Sequence, residues 1–230
     1  MSEETRYPGG KGTFYQRIIN LMPSHRFYIE THVGGGAVIR HKRPAAVNVA
    51  LDPDAEVAKR WQKAKYLHIT FYQADALKYL EGIRPAPDIL IYSDPPYMLK
   101  SRRSDRRIYK HEYSDEDHER LLSRLAELDP CKVIISGYDN DLYRKILESW
   151  NRLDFEVMTR GGAATEYLWF NFPPPEELHE YTYLGDTFRD RERIKRKRKR
   201  WINNLKKMGE IERNAMLDGI RKAFKTNANS

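Results

Sequence analysis

Ile89-Leu90-Ile91-Tyr92-Ser93-Asp94-Pro95-Pro96-Tyr97 is the stretch from which the rest of the chain can be read. Five β-prone residues lead to an acid, and two prolines then forbid both ladder and helix, because proline lacks an N–H and has a fixed φ. A strand is therefore expected to end at Ser93, with a rigid turn, 94–97, projecting from its carboxyl end. In open α/β sheets ligands bind at that end. Asp94 offers a carboxylate, Pro95 a carbonyl and Tyr97 a flat ring. Two acceptors and a stacking surface suit a planar base with an exocyclic amine.

Upstream, the segment from Phe27 to Val33 reads as a strand, broken by Gly34-Gly35-Gly36 before a helix starts at Ala37. Strand, glycine turn and helix open a nucleotide-binding α/β unit, although the departure from G-x-G-x-x-G argues against a pyrophosphate. Earlier still, in Tyr7-Pro8-Gly9-Gly10-Lys11 two glycines permit close backbone approach to a ligand, and Lys11 places one cation beside it. A plain turn before a helix carrying Phe14, Ile18, Leu21 and Met22 is the competing reading. The next strand, 46–51, ends at Asp52, 18 residues after Gly34. That is near the ~20 at which an acid meets ribose hydroxyls; capping the helix 55–66 is the alternative. A third strand, 68–73, delivers Asp75, placed for an adenine amine or as the cap of a helix 76–80.

Downstream lies an insertion, 98–113, with Lys100, Arg102, Arg103, Arg106, Arg107, Lys110 and His111 interleaved with Tyr109 and Tyr113. A charge run is usually a solvated loop, but its place beside the base pocket favours phosphate or base contact. A helix at 115–128, a strand at 132–137 and a helix to Trp150 follow. Strands at 155–160 and 166–172 then suggest an antiparallel closing pair. The fold expected is α/β: a doubly wound, largely parallel, Rossmann-like sheet of seven strands over 1–184, with a basic helical appendage at 185–230.

Composition narrows the partners. The 230 residues carry a net charge of +8, and residues 185–230 hold 15 Lys+Arg against 6 Asp+Glu, so the positive excess lies wholly in the tail. There, Thr187 and Asp190 resemble a capping box, and Ile194, Trp201, Leu205 and Met208 form a stripe. Lys195, Arg196, Lys197, Arg198, Lys199 and Arg200 cover the other faces. A polyanion is the implied partner; a membrane-surface helix is the rival reading. No apolar run approaches a membrane span. The polar N-terminus and single cysteine suit the cytoplasm of a bacterial or phage-infected cell. Pro130-Cys131 matches the dipeptide of cytosine-C5 chemistry, but it enters a strand rather than leaving one, which makes it a core cysteine. The seven histidines show no metal-ligand spacing.

Together, 7–11, Glu30-x-His32-x-Gly34-x-Gly36, Asp52, Asp75, Asp94-Pro95-Pro96-Tyr97 and the segment 166–172 resemble the Dam-like adenine-N6 DNA methyltransferases, above all the short-insert versions of phages and prophages. The resemblance implies S-adenosyl-L-methionine as methyl donor. It places Tyr7, Gly10 and Lys11 at the methionine end, with Glu30, His32, Gly34 and Gly36 as the cradle. Asp52 would meet the ribose, Asp75 the adenine, and Asp94 both cofactor and target. It further implies double-stranded DNA as substrate and a monomer or weak dimer. RNA, a protein glutamine, or a non-catalytic DNA-binding relative are the alternatives. His32 stands where the family usually has phenylalanine and Thr31 where it often has proline. Only 18 residues separate Asp75 from Asp94, so the large recognition domain of Dam-type enzymes is missing. Reading of DNA sequence would fall to 98–113 and the tail.

Overall fold

A computed structural model describes residues 12, 14–101, 110–159 and 162–224. The strands are β1 (Phe27–Glu30), β2 (Val47–Leu51), β3 (Thr70–Tyr72), β4 (Ile89–Ser93), β5 (Lys132–Gly137), β6 (Asn151–Thr159) and β7 (Gly162–Phe170). They form one sheet in the order β3-β2-β1-β4-β5-β7-β6. The first five run parallel, and β7 and β6 close the edge antiparallel. The chain thus steps outward from β1 to β3, then returns to the other side of β1 as β4. The reversal falls between β1 and β4.

Helix α1 (Tyr15–Ile19) precedes β1, and α2 (Ala37–His41), α3 (Ala55–Ala64), α4 (Ala76–Glu81), α5 (Asp115–Ala126) and α6 (Asp141–Ile146) connect successive strands. Alternation along each strand sends successive side chains to opposite faces. Ile29, Ile91, Val133 and Ile135 join Leu77, Leu80, Leu121, Leu122 and Leu125 in one buried cluster. Tyr28, Leu90, Tyr92 and Ile134, equally buried, belong to the other face. All four apolar residues expected to anchor the first helix are buried as well. Ser114 and Asp117 form a reciprocal capping box at α5.

The expected strands 89–93 and 132–137 are found at those bounds, because each is a continuous apolar run cut off by proline or glycine. The first strand stops at Glu30 rather than Val33, since the glycine turn draws the chain sideways and Val33 N donates instead to Leu51 O at 2.9 Å. The closing hairpin is longer than the pattern suggested, paired from Asn151↔Phe170 to Thr159↔Gly162. It ends at Phe170 because Asn171 turns its side chain into the ladder, accepting from Val133 N at 2.8 Å and donating to Cys131 O at 2.9 Å. The last helix before the hairpin ends at Ile146, short of Trp150.

The chain divides into two compact units, Met1–Tyr181 and Thr182–Ser230. The second consists of α7 (Phe188–Lys207), capped by Thr187 Oγ1 accepting from Asp190 N at 3.1 Å, and α8 (Glu210–Ala223). Neither helix buries a residue, and the expected stripe leaves Trp201 52% exposed. Among the described residues no helix is long and apolar enough to cross a membrane.

Candidate active site

Glu30, Asp52, Asp75 and Asp94 end or follow β1, β2, β3 and β4, so the parallel sheet brings all four acids to one edge. Glu30 and Asp94 flank the reversal itself, where an open α/β sheet leaves a crevice.

The glycine turn is built to hold its shape. Gly34 and Gly36 have φ of 48° and 65°, values that cost a side-chain-bearing residue about 1–2 kcal/mol. Gly34 N donates to Asp52 Oδ2 at 2.9 Å and Gly34 O accepts from Trp61 Nε1 at 3.0 Å. A Cβ on Gly36 would stand 2.4 Å from the Trp61 ring, so this glycine serves the packing of α3 against the turn. Asp52 is 5% exposed, and its other oxygen accepts from Asp54 N at 3.0 Å. Burial pushes its carboxyl above the usual range. The cap of α3 is Asp54, which accepts from Glu56 N, not Asp52. Asp75 does cap α4, accepting from Lys78 N at 3.1 Å, and stays half-buried.

Glu30 lies deeper still. Its Oε2 accepts from Tyr28 OH and from Ile39 N, both at 2.9 Å, tying β1 to α2. Burial first, then the charge of Asp94, pushes its carboxyl up to about 8 against the pull of the Tyr28 and Ile39 bonds. Glu30 is therefore a neutral acid at pH 7, while Lys42, itself buried and held near 8 by desolvation, sits over the Tyr28 ring at 4.3 Å.

His32 bridges the turn to the returning end of the insertion. Its Nδ1 lies 2.8 Å from Thr31 Oγ1 and its Nε2 3.0 Å from Tyr113 OH. Burial, with His118 nearby, pushes the imidazole down to about 3, so the ring stays neutral. Tyr113 also meets His118 edge-on, and His118 Nδ1 is 3.1 Å from Tyr143 OH. The sequence marked Tyr113 only as an aromatic of the basic insertion and did not mark His118; only the fold brings Tyr113 to His32.

Asp94 accepts from Ser136 Oγ at 2.6 Å, and that hydroxyl is 3.0 Å from Tyr92 OH. Pro95 is buried, Pro96 and Tyr97 are half-buried, and the Tyr97 ring meets Tyr138 edge-to-face at 4.6 Å. Tyr138 and Ser136 were both missed, since one read as a loop residue and the other as part of an apolar run. Cys131 sits at the opposite end of β5, 1% exposed, with burial raising its thiol.

The two described cations of the insertion turn to acids of the same domain, Lys100 to Asp115 at 2.7 Å and Lys110 to Asp54 at 3.7 Å. Lys110 thus stands at the edge shared by Asp52 and Asp75. Tyr7, Gly10, Lys11, Arg102, Arg103 and Arg107 lie outside the described residues. Lys195, Arg196, Lys197, Arg198, Lys199 and Arg200 are all exposed on α7. Consecutive residues step about 100° around a helix, so these six encircle it. Arg196, Lys199, Arg200, Asn203, Asn204 and Lys207 share one face. Among the described residues no group of His, Cys, Asp or Glu could hold a metal ion.

Acceptors converging beside a glycine turn fit a ligand rimmed with donors, such as the ammonium, ribose hydroxyls and adenine amine of S-adenosyl-L-methionine. With Asp-Pro-Pro-Tyr facing them across the sheet's reversal, the class defined is a methyltransferase of Rossmann-like fold. Residues 48–160 match the family model described as D12 class N6 adenine-specific DNA methyltransferase. The chain is an enzyme, and its cofactor is S-adenosyl-L-methionine. No curated protein sequence matches it. Among solved structures, a Streptococcus mutans protein described as a methyltransferase, in complex with SAH, aligns at 7% identity and TM-score 0.49 over 69% of this chain and 95% of its own. A Haemophilus influenzae protein described as a methylase aligns at 19% and 0.46 over 71% and 88%. The magnesium protoporphyrin IX methyltransferase of Synechocystis, with bound SAM, aligns at 15% and 0.43 over 70% and 76%.

Proposed function

We propose that this methyltransferase acts on double-stranded DNA in the cytoplasm and methylates the exocyclic N6 amine of an adenine swung out of the helix. The observation that carries the reading is the position of Asp94. It projects from β4 at the sheet's reversal, its carboxylate fixed by a buried hydroxyl, next to the Pro95 carbonyl and the Tyr97 ring. The family match supports adenine as the base.

In this reading Asp52 accepts from the ribose hydroxyls, Asp75 from the cofactor's adenine amine, and the turn from Glu30 to Gly36 shapes the methionine end. Tyr7, Gly10 and Lys11 complete that end from the N-terminal side. S-adenosyl-L-methionine supplies a methyl group on a positively charged sulfur. The target amine is a poor nucleophile because its lone pair is delocalised into the ring. Hydrogen bonds from its two N–H groups to Asp94 and to the Pro95 carbonyl favour a pyramidal nitrogen and stabilise the positive charge it gains. The lone pair forms the N–C bond as the C–S bond breaks, and the surplus proton leaves through Asp94 to solvent. Flipping costs a few kcal/mol, of which stacking on Tyr97 returns ~1–3 kcal/mol. The Arg196–Lys207 face of α7, four cations and two amides, supplies sequence-independent grip on phosphates.

Incubating the full chain with S-adenosyl-L-methionine and mixed-sequence duplex DNA, then mapping modified bases on single molecules, tests the reading. N6-methyladenine is expected, with Asp94→Ala reducing its formation by at least ~10²-fold. Methylation of another base or atom, or undiminished transfer by Asp94→Ala, would refute it.

A further inference from the structure

Ser136 and Tyr92 belong to no element of the reaction described so far, yet both converge on the reacting carboxylate. The parallel register pairs Tyr92 with Ile134 and Ser93 with Ile135, so Asp94 comes opposite Ser136. Alternation then places Tyr92, Asp94 and Ser136 on one face of the sheet. Ser136 is fully buried and Tyr92 is 1% exposed, and a hydroxyl in such surroundings is costly unless bonded. The 2.6 Å separation of Ser136 Oγ from Asp94 Oδ1 is that of a charge-assisted hydrogen bond. An ionised carboxylate only accepts, so Ser136 gives its proton to Asp94 and takes one from Tyr92 OH, 3.0 Å away. The bonding has one direction, Tyr92 to Ser136 to Asp94. Asp94 is the first residue past the last ladder position of β4, where the backbone no longer restrains a side chain. One fixed oxygen sets the carboxylate plane, and with it the direction from which an amine is met.

We propose that Ser136, itself oriented by Tyr92, is the positioning residue for Asp94 and sets the angle at which the carboxylate receives the substrate amine. The proposal rests on the reading of Asp94 as amine acceptor. It separates two strands' contributions: β4 supplies the acceptor and β5 aims it. A misaimed acceptor slows the chemical step, while the acids on β2 and β3 that would hold the cofactor keep their own bonds to Gly34, Asp54 and Lys78.

The test uses the full chain, S-adenosyl-L-methionine and duplex DNA, with steady-state rates and melting temperatures for each variant. Transfer to adenine by the wild type is measured first, so failure of the adenine reading appears there and failure of this proposal appears only in the variants. Ser136→Ala should lower kcat about 10–30-fold with both KM values within about twofold. Tyr92→Phe should lower kcat about 3–5-fold, and the double variant should match Ser136→Ala alone, the result that action through Ser136 requires. Ser136→Thr, which keeps the hydroxyl, should recover most of the rate. A wild-type kcat in Ser136→Ala, or a Tyr92→Phe loss that persists undiminished in that background, overturns the proposal. Should Ser136→Ala not fold, an unaltered kcat in Tyr92→Phe does so instead.

Discussion

Replacing Glu30 by glutamine isolates the buried acid at the sheet's reversal. In the folded protein burial holds its proton to about pH 8, whereas the unfolded chain releases it near the ordinary 4.5. Between those values the folded state binds one more proton than the unfolded state, so stability declines as pH rises. His25 and His32 act oppositely. Burial holds both near 3 against an ordinary 6.5, so their contribution grows with pH and levels off above 6.5. Lys42, held near 8 by desolvation, acts above that value. The window from pH 6.5 to 8 therefore belongs to Glu30. At roughly 1.4 kcal/mol per pH unit, the wild type should lose about 2 kcal/mol across it, or about 4–8 °C in Tm for a domain of this size. Glu30→Gln keeps an oxygen to accept from Tyr28 and Ile39 but has no proton to lose. Its Tm, followed by tryptophan fluorescence or urea unfolding, should stay nearly level across the window. An equal decline in variant and wild type would show that Glu30 is already ionised in the fold, and the electrostatic account of the site would fail.

Gly36→Ala should lower stability by about 2–4 kcal/mol, since it combines a left-handed backbone with a methyl group driven into Trp61; an unchanged melting curve would contradict the turn's packing. Tyr97→Phe should leave kcat/KM within about threefold, while Tyr97→Ala should lose roughly 5–150-fold, the equivalent of one stacked base. Equal effects of the two would assign the role to the hydroxyl instead of the ring. Neutralising Lys195, Arg196, Lys197, Arg198, Lys199 and Arg200 should weaken DNA binding and flatten its dependence on salt by about 0.9 for each phosphate that is no longer neutralised. An identical slope would remove the tail from the interface.

Much of this was legible because the informative residues are local. Two prolines after an apolar run fix the end of β4 wherever that strand lies, and three glycines after another fix the turn beyond β1. Strands β4 and β5 could be bounded to the residue for the same reason. The hairpin could not, because pairing between β6 and β7 recruits residues such as Asn151 and Ala163 that have no strand signature of their own. Likewise the choice between Asp52 and Asp54 as the helix cap depends on which carboxylate the turn has already claimed. From the sequence alone came the chemistry: an acid, a carbonyl and a ring on a rigid turn, a row of acids at strand ends, and a positive excess confined to the tail. Tertiary structure alone decided that β1 and β4 are neighbours, that Tyr113 meets His32, and that Ser136 bonds Asp94. That last pair lies 42 residues apart in sequence, and parallel strands impose no local pattern on partners so distant.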